Sequence, residues 1–89
     1  MDMVYIINDT LTMDPEAYSD FYEAKERFLE IIKTVVKNTF GEIPGVIRAD
    51  LDGLDDGDIE YNIDAVGLAR YTFEGQEFTL YEREVKHPQ

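Results

Sequence analysis

The sequence predicts an α+β fold, with one long amphipathic helix packed on an antiparallel sheet in the order β-α-β-β-β-β. Three observations predict it. Apolar residues recur at helical spacing across residues 15–39, the period changes from 3.6 to 2 after Gly45, and a short apolar run, MVYII at residues 3–7, precedes both. A helix laid on one face of an antiparallel sheet buries both kinds of stripe at once. The 89 residues, 44% hydrophobic and 12% aromatic, give one domain over residues 1–89 with enough apolar mass for a core.

The first strand spans residues 3–8 and stops at Asn8-Asp9. Residues 10–13 connect it to the helix. Asp14-Pro15 is read as the helix start. Asp accepts from free backbone N–H groups at the N-cap, and Pro loses nothing at the first helical position. Met13 and Tyr18 stand at the spacing of a hydrophobic staple. Two apolar rows follow: Ala17, Phe21, Ala24, Phe28, Ile31, Val35 and Tyr18, Tyr22, Leu29, Ile32, Val36, Phe40. The opposite face is charged, acidic early and basic late, which suits the helix dipole, and Glu23–Arg27 is an i,i+4 pair. Gly41 is the expected left-handed terminator, and Pro44 prevents continuation.

Beyond Gly45, Ile47, Ala49 and Leu51 alternate with Arg48, Asp50 and Asp52. Ile59, Tyr61, Ile63 and Ala65 alternate with Asp58, Glu60, Asn62 and Asp64. Strands are therefore predicted at 46–52 and 58–66, joined by a GLDDG hairpin loop. Gly67 marks a bulge or tight turn. Residues 68–73 and 77–85 form a second hairpin about Glu74-Gly75, with Tyr71 opposite Phe78 and Ala69 opposite Leu80 on the core side. The tail KHPQ is expected to fray.

In element order the chain resembles the cystatin/monellin arrangement, over most of its length and on topology alone. The QxVxG hairpin of cystatins is absent. The corresponding hairpin reads LDGLDDGD, and there is no Trp for a second wedge. Inhibition of cysteine proteases is not implied.

The residue inventory narrows the chemistry. There is no cysteine, the only serine, Ser19, lies on the polar helix face, and the only histidine is His87, so no Ser–His or Cys–His nucleophile can be assembled. A carboxylate pair remains the only enzymatic option, and a non-enzymatic protein without cofactor is expected. The aspartate-rich loop fails the EF-hand pattern. With Gly57 in the sixth position, Leu54 and Ile63 fall on ligand positions, which leaves only weak calcium binding by residues 50–58 as an option. No glycine-rich phosphate loop occurs, and the scattered bases do not make a nucleic-acid site. Zero cysteines fit a reducing, cytoplasmic setting. No basic-plus-apolar leader and no membrane-length apolar run are read in the sequence.

Charge is the sharpest feature. Twenty acids against eight bases give a formal net charge of −12, more than solubility of a small domain requires. Residues 50–64 hold Asp50, Asp52, Asp55, Asp56, Asp58, Glu60 and Asp64 without a base. As strands, these segments place Asp50, Asp52, Asp58, Glu60 and Asp64 on one sheet face. Like charges facing each other there are costly, so a role beyond stability is expected, against the plainer reading of a solvated face.

In length, charge, lack of disulfides and lack of catalytic residues, the chain resembles the small acidic proteins by which phages and mobile elements inhibit host defence, anti-CRISPR proteins and DNA-mimic inhibitors among them. The resemblance implies a host-cell cytoplasmic protein that occupies the basic groove of a CRISPR effector, nuclease or restriction enzyme through those seven acids. Tyr5 and Tyr81 are candidate neutral anchors beside the acids. The competing expectation is an antitoxin, immunity protein or assembly subunit that binds through an apolar patch or sheet edge. Either way, a protein partner and a monomer or weak dimer are expected, with no direct binding of nucleic acid or membrane.

Overall fold

The computed structural model describes residues 2–10 and 14–85. A four-stranded antiparallel sheet carries a layer of helices on one face. The elements are β1 (Asp2–Asp9), β2 (Glu16–Tyr18), α1 (Phe21–Phe40), α2 (Gly45–Gly53), a widened helical turn (Leu54–Asp58), α3 (Ile59–Val66), β3 (Leu68–Phe73) and β4 (Gln76–Val85). The sheet order is β2-β1-β4-β3, so β1 lies inside the sheet. Among the described residues, no helix is long and apolar enough to cross a membrane.

The α+β class and the long helix stand, but the predicted element order does not. α1 begins at Phe21, six residues later than Pro15. Asp20 is its N-cap: the backbone there is extended, and the carboxylate accepts from the N–H groups of Tyr22 at 2.7 Å and Glu23 at 3.4 Å. Residues 16–18 instead pair with β1, Tyr18 opposite Tyr5 and Glu16 opposite Ile7. This pairing satisfies part of the β1 edge, which a helix from Pro15 would leave open. Gly41 ends α1 in the left-handed region, φ 79°, and its N–H donates to the Lys37 carbonyl at 2.7 Å. Met13 and the KHPQ tail lie outside the described residues.

The larger correction concerns residues 46–52 and 58–66, which are helical. Ile47–Leu51 and Ile59–Ile63 are four residues apart, a separation that keeps one face in a helix and in a strand alike. The discriminating positions are Ala49, Tyr61 and Ala65, which a strand would turn inward with them. All three are exposed, Tyr61 at 73%. Leu54, three residues past Leu51, packs on the core instead. Asp, Gly and Ala are poor strand formers, and six aspartates in this stretch weigh the same way. The helices also spread carboxylates that a hairpin would set opposite one another.

The two short helices are separated at Gly57, whose φ of 146° and ψ of −16° lie outside helical geometry. Gly67, at φ 73°, closes α3 by donating to the Ile63 carbonyl at 2.8 Å. The β3–β4 hairpin keeps the expected register, Tyr71 opposite Phe78 and Ala69 opposite Leu80. The core lies between sheet and helices. Ala24, Phe28, Ile32 and Val36 run along α1 with no exposure and meet Ile7, Phe78 and Leu80 of the sheet and Leu51, Ile59 and Ile63 of the short helices.

A polar clamp fixes β2 to α1. The Arg27 guanidinium reaches Glu16 through two nitrogens, at 3.0 and 3.2 Å, and Tyr18 donates to the same carboxylate at 2.6 Å. Arg27 also meets Glu30 at 3.0 Å, in place of the expected Glu23. Its hydrogen bond, then that of Tyr18, holds the Glu16 pKa below its ordinary 4.5. A depressed carboxylate stabilises the fold fully above the unfolded value and loses that contribution as pH falls through the folded one. The β1–β2 amides are therefore expected to lose hydrogen-exchange protection below pH 4.5, and Glu16→Gln is expected to remove that pH response while the β1–β4 amides keep theirs.

Candidate partner-binding site

The helical geometry distributes the seven acids of residues 50–64 over three places instead of one sheet face. Asp50 and Asp58 flank a shallow surface with Ala49, Leu54 and Tyr71. There the Tyr71 hydroxyl donates to Asp50 at 3.2 Å, and burial followed by the Asp50 charge pushes the phenol pKa up. Asp52, Asp55 and Asp56 surround the bend at Gly53 and Gly57 and are exposed. Glu60 and Asp64, one turn apart on α3, face a cleft shared with α1 and the sheet.

Lys25 ties α1 to this acidic unit. Its ammonium lies 3.0 Å from Glu60 and 3.6 Å from Asp55, donates to the Asp55 carbonyl at 3.2 Å, and sits 5.5 Å from the Tyr22 ring centre. Its side chain is only 13% exposed. Burial lowers the Lys25 pKa, but the bond and charge of Glu60, with those of Asp55, outweigh it and leave the pKa raised. The acids near the bend are thus partly neutralised, whereas Asp64 and Glu82 have no ion-pair partner among the described residues.

The cleft is about 270 Å³ and is lined by Tyr5, Phe21, Tyr22, Glu60, Ile63, Asp64 and Glu82. Tyr5 and Phe21 meet edge to face with centres 5.4 Å apart, and Phe21 and Tyr22 do so at 5.3 Å. Glu60 and the Tyr22 ring already engage Lys25, which leaves Asp64 and Glu82 with the Tyr5 and Phe21 rings to offer charge and ring quadrupole to an organic cation. Tyr5, a candidate anchor from sequence, belongs to this wall; Tyr81, the other, points to the opposite face of the sheet. Phe21, Tyr22 and Glu82 were missed. The signal for Glu82 was present, because it follows Phe78 and Leu80 in the inward-facing register of β4 and so puts a carboxylate where the pattern expects an apolar side chain. Gly67 lies against that side chain: a Cβ there would meet the Glu82 Cγ at 3.5 Å, an ordinary contact, so its φ of 73° and not lack of space is what calls for glycine.

A broader groove of about 610 Å³ runs along α1, with Lys25, Lys33 and Lys37 set among Glu26, Glu30 and Asp55, so it favours neither sign of charge. Among the described residues, no three His, Cys, Asp or Glu side chains converge so as to hold a metal ion, the Asp-rich segment 50–58 included. Compared with protein families, with curated proteins and with solved structures, the chain matches none.

Proposed function

We propose that this chain is a non-enzymatic binding protein that captures a basic protein partner, with a lysine or arginine of that partner seated in the Tyr5–Phe21–Tyr22 cleft between Glu60, Asp64 and Glu82. The single observation that carries the reading is this cleft, which pairs edge-to-face aromatic rings with two carboxylates that have no ion-pair partner among the described residues. Asp50, Asp52, Asp55, Asp56 and Asp58 then act at longer range, steering a cationic surface toward the cleft. The partner class that best fits an excess of acids is a nucleic-acid-handling protein, whose groove is built to meet phosphates. Occupation of that groove makes the chain an inhibitor, as expected of a phage or mobile-element protein directed at a CRISPR effector, nuclease or restriction enzyme.

The reading is tested with an arginine-rich peptide and with a nuclease or effector of known basic groove, by calorimetry over a salt series. Affinity is expected to fall as salt rises, and DNA is expected to compete for the effector. Asp64→Asn with Glu82→Gln is expected to weaken binding about tenfold or more, since two carboxylates facing one cation are removed. Asp52→Asn with Asp56→Asn is expected to lower chiefly the association rate. Unchanged affinity in the cleft variant, with the fold intact, overturns the proposal.

A further inference from the structure

The face of the sheet away from the helices is not covered by any described element. Its apolar side chains form a row across all four strands, Ala17 of β2, Ile6 of β1, Tyr81 of β4 and Leu68 of β3, each opposite the next in the strand register. Val4 and Val85 extend the row toward one end. None of these six packs against the core, which lies on the other face with Ile7, Phe78 and Leu80.

The charges on this face differ from those elsewhere. By strand alternation it carries Asp2 and Glu77 against Arg70 and Arg83, a balance of zero on a chain whose formal charge is −12. Glu77 and Arg70 meet at 3.4 Å at the hairpin end, and Asp2 and Arg83 lie on neighbouring strands at the other. An identical acidic molecule is repelled by the helical layer but not by this face. A twofold interface must be its own complement, which a balanced set of two acids and two arginines around an apolar row satisfies.

We infer that the open sheet face is a self-association surface, on which a second copy of this chain packs sheet to sheet. Strand spacing and rise make the face roughly 19 Å wide and 25 Å long, about 500 Å² per copy. Two such faces bury about 1,000 Å², the low end for a specific interface, so the dimer is weak and dissociates on dilution. It leaves the acidic cleft exposed on both outer sides, so two cation-binding sites are presented at once.

Salt separates this inference from the partner-binding proposal, because the two respond with opposite sign. Sedimentation equilibrium over a range of concentrations is expected to show a monomer–dimer equilibrium that strengthens as salt screens the net charge. Tyr81→Glu, at the centre of the row, is expected to weaken it about tenfold or more, as loss of a central aromatic anchor does. Ala17→Glu, at an exposed position where folding is not at stake, is expected to weaken it in the same direction. Asp64→Asn with Glu82→Gln is expected to leave it unchanged or slightly stronger. A chain that stays monomeric at millimolar concentration in high salt overturns the inference, and leaves the face to a foreign protein. So does a dimer unaffected by both Tyr81→Glu and Ala17→Glu.

Discussion

Phe28→Ala is expected to lower stability by about 3–5 kcal/mol, read from urea unfolding at unchanged slope. Phe28 stands at the middle of the fully buried row of α1, between Ala24 and Ile32, and contributes the largest buried side chain of the helical layer. Its ring is fully buried in the core cluster that holds side chains of the sheet and of the short helices, so truncation removes apolar burial and leaves a cavity. A domain of this size is stable by only about 5–15 kcal/mol, so the variant approaches the threshold of folding at ambient temperature. A loss below about 1 kcal/mol would mean that α1 does not lie against the sheet along this row.

Gly57→Ala is expected to cost about 1–3 kcal/mol, the range for a residue forced into a sparsely populated backbone region. A Cβ at this position meets nothing within 4 Å, so the cost is purely conformational and comes from φ 146°. Gly53, four residues earlier, gives the contrast. Its backbone is helical, φ −62° and ψ −42°, and an added Cβ would meet only the Asp58 Oδ2, at 3.3 Å. That oxygen ends an exposed flexible side chain, so it yields, and Gly53→Ala is expected to stabilise by about 0.4–1 kcal/mol. Thermal unfolding of the pair should thus move in opposite directions. Equal effects of the same sign would show that the bend at Gly57 is not what separates α2 from α3.

What could be read from the sequence depended on whether a residue pattern had one structural solution. α1 was legible because two apolar rows over twenty residues fit only the helical period, and Gly41 supplied its end. The β3–β4 hairpin was legible because Glu74-Gly75 fixes the turn, and the turn fixes the register. The start of α1 was not, since Asp14-Pro15 and Ser19-Asp20 are both good caps. The choice fell to the long-range pairing of Glu16–Tyr18 with β1, which no local signal carries. Residues 46–66 failed for a different reason: their strongest apolar pairs, Ile47–Leu51 and Ile59–Ile63, satisfy both periods, and only the weaker positions Ala49, Leu54 and Tyr61 tell them apart. The site followed the fold. All seven acids kept their exposure or half-exposure, but their grouping changed with the backbone, and the cleft gained Phe21, Tyr22 and Glu82 from elements far away in sequence.

The sheet order also governs when the molecule can form. β1 pairs with β4 over its whole length, from Asp2 opposite Val85 to Asp9 opposite Phe78, so the central ladder joins the first described strand to the last. At about 5–20 residues per second of synthesis, several seconds separate the emergence of the two. During that interval the newborn chain can form α1 and the turns at its ends, but not the sheet against which α1 packs. β1 meanwhile exposes Val4, Ile6 and Ile7 with only the three residues of β2 to pair with. The dense negative charge, formally −12, makes such nascent chains repel one another, so the acids protect the molecule before its sheet exists.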